Sequence, residues 1–275
     1  MSIDIAAIWD FQKPELSEQR FREALPTASP EDAFILQTQI ARTFGLRKKF
    51  AKAQSELAEI EPQLKSASLE GRVRYYLELG RTYSSPVHPP ESQSPEVKAQ
   101  ARAAYLRAVE IATEANLDNL AIDALHMMTV VDTSPEDQLK WNRKALALLE
   151  SSTQPDAKKW EGSLRNNAGY ALHLAGRYEE ALSEFKLALA LREIAGKIEP
   201  IRIGHWMIAW TLRALGRFEE AVEIQLRLEK ERAASGEPDP YVFEELERLY
   251  RALKDEERAD YYAKRLAKTK GRCIE

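Results

Sequence analysis

The sequence predicts an all-α protein, a solenoid built as a superhelix of about six stacked helix pairs. Three observations carry this. Gly176-Arg-Tyr-Glu-Glu-Ala181 recurs as Gly216-Arg-Phe-Glu-Glu-Ala221, 40 residues further on, and helix pairs repeated at a fixed spacing bury their apolar faces only against neighbouring pairs. Apolar residues recur at three- and four-residue spacing on both sides of each copy, the stripe of a helix packed on one face. Only 11 glycines occur in 275 residues, few for a fold made of strands and tight turns.

Taken in order, residues 1–30 form an N-terminal capping region with one helix over 15–25. The repeats follow over 31–269, strongest over 162–232, and 270–275 is a tail. In the first copy Ile40, Ala41 and Phe44 precede a turn at Leu46–Lys49, and Phe50, Ala53, Leu57 and Ile60 follow it. In the second, Leu79, Gly80 and Tyr83 lead into a long segment, residues 84–94, before Ala101, Tyr105 and Ala108. Pro86, Pro89 and Pro90 make that segment a loop, because each removes a backbone donor; it reads either as an insertion that folding tolerates or as part of a functional face. The third copy is the faintest: Ala121, Ala124, Leu125 and Met128, then Leu139, Leu146 and Leu149.

The fourth copy is the clearest. Leu164, Ala168, Ala171, Leu172 and Ala175 form one stripe, Gly176 ends it, and Ala181, Leu182, Phe185, Ala188 and Leu189 form the next. Gly169 and Ala181 are small where two helices approach, while Leu172, Tyr178 and Phe185 are large where the gap must be filled. The fifth copy places Ala209, Leu212, Phe218 and Ala221 at matching positions but has Gln225 where a bulky apolar residue is expected. In the sixth, Phe243, Leu246 and Tyr250 precede Lys254-Asp255, then Ala259, Tyr262 and Leu266. Ser29-Pro30, Ser94-Pro95, Ser134-Pro135 and Asp239-Pro240 each place a capping side chain before a proline at the first helical position.

This small–large–turn–small–large pattern resembles the tetratricopeptide repeat. The spacing of 40 exceeds that family's usual ~34 residues, so the resemblance is to its long-repeat members. It implies a right-handed superhelix whose concave wall is formed by first helices, and a non-catalytic role in binding a protein or peptide segment in the groove. Carried over by spacing from Gly169, the wall positions are Asn166, Asn167, Tyr170 and His173, then Ile203, Trp206, Met207, Trp210 and Arg213, then Glu244, Arg248 and Arg251. Upstream they are Arg42, Arg74, Arg81, Asn119, Asp123 and His126. Trp206 and Trp210 read either as packing between repeats or, with Tyr170, as an aromatic wall for an apolar or peptide ligand. Asn166 and Asn167 suit donation and acceptance along an extended backbone. Asn167 matches the clamp asparagine of members that grip chaperone C-termini, but Ile203 and Met207 stand where that clamp needs Lys and Arg, which disfavours that partner class.

Composition narrows the alternatives. The net charge of −4 lacks the basic face that nucleic-acid binding needs. No run approaches the ~20 apolar residues of a membrane span, and the acid at Asp4 makes the N-terminus unlike a secretory signal. Cys273 is the single cysteine, which excludes a disulfide framework and fits a reducing, cytoplasmic setting. Neither phosphate-loop, dinucleotide nor nucleophile-elbow motifs occur, and Gly196-Lys197 is followed by Ile198. The four histidines never stand at metal-ligand spacing, so no metal, cofactor or catalytic residue is expected. Asp123 and His126 share a helix face at i,i+3 and are expected to make a surface hydrogen bond. Two further readings stay open: a peptide-sensing module acting on a partner enzyme or transcription factor, and a homo-oligomeric scaffold.

Overall fold

The computed structural model describes residues 3–271, with side chains through residue 269; most of the expected tail, including Cys273, lies outside the described residues. Helices dominate: α1 (Ile5–Ile8), α2 (Pro14–Ala24), α3 (Pro30–Leu46), α4 (Phe50–Ile60), α5 (Leu69–Tyr83), α6 (Pro95–Glu114), α7 (Asp118–Val131), α8 (Pro135–Ser151), α9 (Pro155–Lys158), α10 (Glu161–Leu174), α11 (Tyr178–Ala195), α12 (Ile198–Ala214), α13 (Phe218–Ala234), α14 (Pro240–Ala252) and α15 (Glu256–Gly271). The principal contacts join helices adjacent in sequence, as in an α-solenoid. The six expected pairs are α3/α4, α5/α6, α7/α8, α10/α11, α12/α13 and α14/α15. They fall into two compact units, Met1–Trp160 and Glu161–Glu275.

Helix starts follow the sequence signals. Ser29, Ser94 and Ser134 accept from the backbone N–H three residues on, and Asp239 accepts from Tyr241 N, each before a proline at the first helical position. Such a cap contributes about 1 kcal/mol. The ends share one device. Gly176 and Gly216 take left-handed φ values of 75° and 76°, and the next residue reaches back across the turn, Arg177 N to Leu172 O and Arg217 N to Leu212 O, both at 2.9 Å.

The first unit's core gathers Phe21, Phe34, Leu36, Ile40, Phe44, Leu57, Ile60 and Tyr75. A core cluster of the second unit includes Leu228, Phe243, Leu246, Tyr250 and Tyr262. Within the second unit Phe185 of α11 lies over Gly169 of α10. An added Cβ there would meet ring atoms Cδ1 and Cε1 at 2.8 Å.

The segment 84–94 is largely loop, with one short 3-10 turn at Pro90–Ser92. It is tied down more firmly than a tolerated insertion. The His88 ring stacks on Phe50 at 3.7 Å, its Nε2 donates to Thr82 O and its Nδ1 accepts from Ser85 N. Gln93 donates to Tyr83 O, and the buried Tyr105 hydroxyl donates to Ser84 O at 2.6 Å.

Two substitutions test this packing. Gly169→Ala should destabilise by ~1–3 kcal/mol in a denaturant melt, because the added Cβ would overlap the buried Phe185 ring; an unchanged midpoint would mean the ring yields. Gln225 is fully buried, and neither amide atom has a hydrogen-bond partner among the described residues. An orphaned amide costs ~1–3 kcal/mol, so Gln225→Met, nearly equal in volume, should raise the melting midpoint. A lower midpoint would show that the amide is satisfied.

Candidate functional site

The second unit brings together four of the eight expected site side chains as stacked rings. Residues 170 and 173 are one turn apart on α10, and residues 206 and 210 one turn apart on α12, so each pair shares a helix face. Trp210 stacks on the His173 ring with centroids 3.3 Å apart and interplanar angle 15°. On either side it meets Tyr170 at 5.8 Å and 23°, and Trp206 at 5.9 Å and 22°. Tyr178 closes the inner end edge-on to His173 at 5.0 Å. Tyr170 remains 43% exposed and Ile203 48% exposed. The result is an aromatic ledge buried at His173 and open at Tyr170.

Beyond Trp206 lies an apolar cavity of about 270 Å³. It is lined by Ile203 and Trp206 of α12, Leu228 of α13, and Tyr241 and Val242 of α14. Trp206 Nε1 reaches Tyr241 O at 3.4 Å. Arg202 and Arg232 stand at the rim with Asp239, but both cations are occupied: Arg202 pairs with Glu199, and Arg232 with Glu199 and Asp239.

His173 is mostly buried. Thr211 donates its hydroxyl to Met207 O at 2.9 Å, so the 3.1 Å contact with His173 has Nδ1–H donating to Thr211 Oγ1. That fixes the neutral tautomer. Burial first, and then the nearby Arg213 charge, pushes its pKa down to about 4.

Other expected wall residues are placed differently. Met207 is buried, 7% exposed, and packs in the core instead of lining a groove. Arg213 is not free for a ligand: Nε and Nη2 grip the buried Glu245 carboxylate at 2.7 and 3.0 Å, and Arg248 adds a longer contact. Asn166 and Asn167 are half-buried on α10, and Asn166 Oδ1 lacks a hydrogen-bond partner among the described residues. Glu244 pairs with Arg248, and Arg251 with Glu247 and Glu256.

In the first unit Arg74 pairs with Glu70, and Asn119 Oδ1 accepts from Trp160 Nε1 at 2.8 Å. Asp123, expected to bond at the surface with His126, is clasped by Arg81 and largely shielded from solvent. Spacing along α5 and α7 carries no sign of that partnership, since the two residues are 42 positions apart.

No family model matches the chain, and no curated protein matches it. Among solved structures it is similar to a signal transduction ATPase with numerous domains from Pyrococcus horikoshii, which carries a tetratricopeptide repeat sensor, with TM-score 0.72 at 14% identity. That match covers 93% of this chain and 39% of the other, so the chain spans well under half of that neighbour. Two looser matches are BtubC from P. vanneervenii, with TM-score 0.44, 13% identity and coverage of 99% and 93% of the two chains, and the apo quorum sensor NprR from B. thuringiensis, with TM-score 0.33, 12% identity and coverage of 96% of each. The fold is therefore a tetratricopeptide-like helical repeat.

The buried neutral His173 gives a pH signature. Its folded pKa of about 4 lies below the ordinary 6.5, so the unfolded chain takes up the proton first. Stability contributed by the neutral ring is complete above pH 6.5 and is lost as pH falls toward 4. The shift corresponds to roughly 3 kcal/mol. Denaturant melts of the wild type and His173→Gln should therefore converge as the pH is lowered across that interval. Parallel pH profiles would show that the ring titrates normally.

Proposed function

We propose that the chain is a non-catalytic binding module that holds a peptide or protein segment on the second unit. The observation that carries this is the ledge of Tyr170, Trp210 and Trp206 ending beside an apolar cavity. Aromatic rings supply large, stiff contact area, and those that desolvate fully become the hot spots of an interface. The cavity is large enough for one bulky apolar side chain, so an extended segment would lie along the rings and anchor that side chain past Trp206. The cations nearby are already paired, so apolar contact, not charge, drives the affinity.

The sensing reading has one observation in its favour: the Pyrococcus neighbour's repeats are described as a sensor. At 14% identity that likeness speaks for the fold alone, so the sensing role rests on the ledge and is secondary to simple binding.

Random peptides displayed on phage and selected on the full chain should enrich sequences with a bulky apolar anchor. Tyr170→Ala and Trp206→Leu should each weaken the enriched peptides by ~2 kcal/mol, roughly thirtyfold. Tyr170→Ala is the cleaner variant because its side chain is exposed; thermal melts establish that both variants fold. Unchanged affinity in folded variants would refute the reading. If the variants change only the elution volume on a sizing column, the ledge is a self-association surface instead.

A further inference from the structure

The first unit holds a second cavity that the binding ledge does not involve. It measures about 310 Å³ and opens among α3, α5 and α7, closed on one side by the tied-down loop at Ser85–Val87 and by Trp160. Its apolar lining comes from Leu46, Val87, Met127 and Trp160. Its polar lining holds Thr82, Ser85, His126 and a cluster of four charges, Arg42, Glu78, Arg81 and Asp123.

The charges balance formally, but the hydrogen bonds do not. Arg81 takes both acids: Nη1 meets Glu78 Oε1 at 2.5 Å, and Nη2 meets the two Asp123 oxygens at 2.6 and 2.7 Å. Arg42 is left with one long contact, 3.4 Å from Nη1 to the same Glu78 oxygen that Arg81 already holds. Its Nε is buried with no hydrogen-bond partner among the described residues. The guanidinium lies against the stacked rings of Trp9 and Phe11, at 5.7 and 5.3 Å, which hold it in place without accepting a hydrogen bond. A guanidinium carries five donors and cannot shed its charge near neutral pH. Leaving such a group under-paired in a half-buried wall is costly. Burial and the neighbouring Arg81 both act against its charged form.

We propose that this cavity binds a small monocarboxylate with an aromatic or branched apolar body, its carboxylate on Arg42 and its body against Trp160, Met127 and Val87. A carboxylate matches the fork of a guanidinium and forms its strongest hydrogen bonds. The chemistry favours one negative charge over two, because Glu78 and Asp123 share the cavity and would repel a dianion such as a phosphate. It disfavours a cation, because both Asp123 oxygens and Glu78 Oε1 are held by Arg81. The volume, at the small end of ligand sites, admits a single small molecule or one terminal residue of a chain. The free carboxylate beside an apolar group is common to both sources.

Calorimetric titration of the full chain with phenylpropionate tests this. The acid should bind saturably at one site, and its amide roughly tenfold more weakly or worse. Arg42→Gln should lose a similar factor. Arg42 supports the Trp9–Phe11 stack, so a second variant guards against misfolding: Val87→Trp places bulk at the loop wall, leaves Arg42 intact and should abolish binding. Gly-Gly-Phe with a free C-terminus, set beside its amidated form, separates the sources: stronger binding than phenylpropionate assigns the site to a chain terminus, and weaker binding to a free small acid. The proposal is overturned if the acid shows no saturable binding at millimolar concentration, if acid and amide bind alike, or if folded Arg42→Gln or Val87→Trp keeps full affinity. None of these outcomes bears on the aromatic ledge, which stands or falls on its own variants.

Discussion

Much of the repeat fold depends on a single backbone constraint, met at seven of the junctions between the described helices. One residue must enter the left-handed region so that the next N–H can reach back to the carbonyl five positions earlier. Gly176 and Gly216 do this within the fourth and fifth pairs, and Gly196 and Gly236 take the same conformation between pairs. Lys48, Asn116 and Lys254 adopt it as well, with φ of 59°, 52° and 60°, and their followers make the equivalent bonds: Lys49 N to Phe44 O, Leu117 N to Ala112 O and Asp255 N to Tyr250 O. A lysine there carries a steric cost that glycine avoids. The fold meets that cost because the turn sets the angle at which the second helix returns, and with it every contact in the pair, including Phe185 over Gly169.

That constraint explains what the sequence showed and what it hid. Where glycine occupied the turn, the pair was legible from the residues alone. Where lysine did, only the apolar spacing remained, and the first and sixth copies looked faint although their turns obey the same rule. The capping signals were legible throughout, because a serine before a proline specifies a helix start by local chemistry. The loop at 84–94 was legible as a loop, since three prolines forbid a regular ladder. Its anchoring was not: His88 on Phe50 and Tyr105 on Ser84 are contacts made 38 and 21 positions apart.

The candidate sites divide in the same way. Helical spacing identified the face that Tyr170, His173, Trp206 and Trp210 share, and these four rings do meet. Spacing also put Met207 and Arg213 on that face. A helix has no sharp boundary between wall and core, however, and Met207, one residue from Trp206, turns inward. Arg213 was legible as a cation but not as one already matched, because Glu245 comes from the next pair. Glu78 was not singled out at all, although it joins the two arginines beside the first unit's cavity. A buried acid on an otherwise apolar stretch of helix was the available signal, and it becomes specific only once Arg42 and Arg81 are known to face it.

The two units thus solve the same problem with different chemistry. In each, first helices of successive pairs present a wall that neighbouring pairs leave open. In the second unit Arg202, Arg213 and Arg232 are each answered by an acid, so the wall is mainly apolar surface. On the proposed reading, such a surface would discriminate by shape around one apolar anchor. In the first unit one arginine is answered poorly, while Arg81 holds Asp123 and Glu78 Oε1, so the wall leaves an under-paired cation beside the apolar part of the cavity lining. On the proposed reading, that arrangement would discriminate by chemistry and by size. The difference does not come from the repeat, whose turns and small–large contacts are shared. It comes from whether each wall cation finds its partner in the next pair, as Arg213 does in Glu245, or must divide one with a neighbour, as Arg42 does with Arg81 at Glu78.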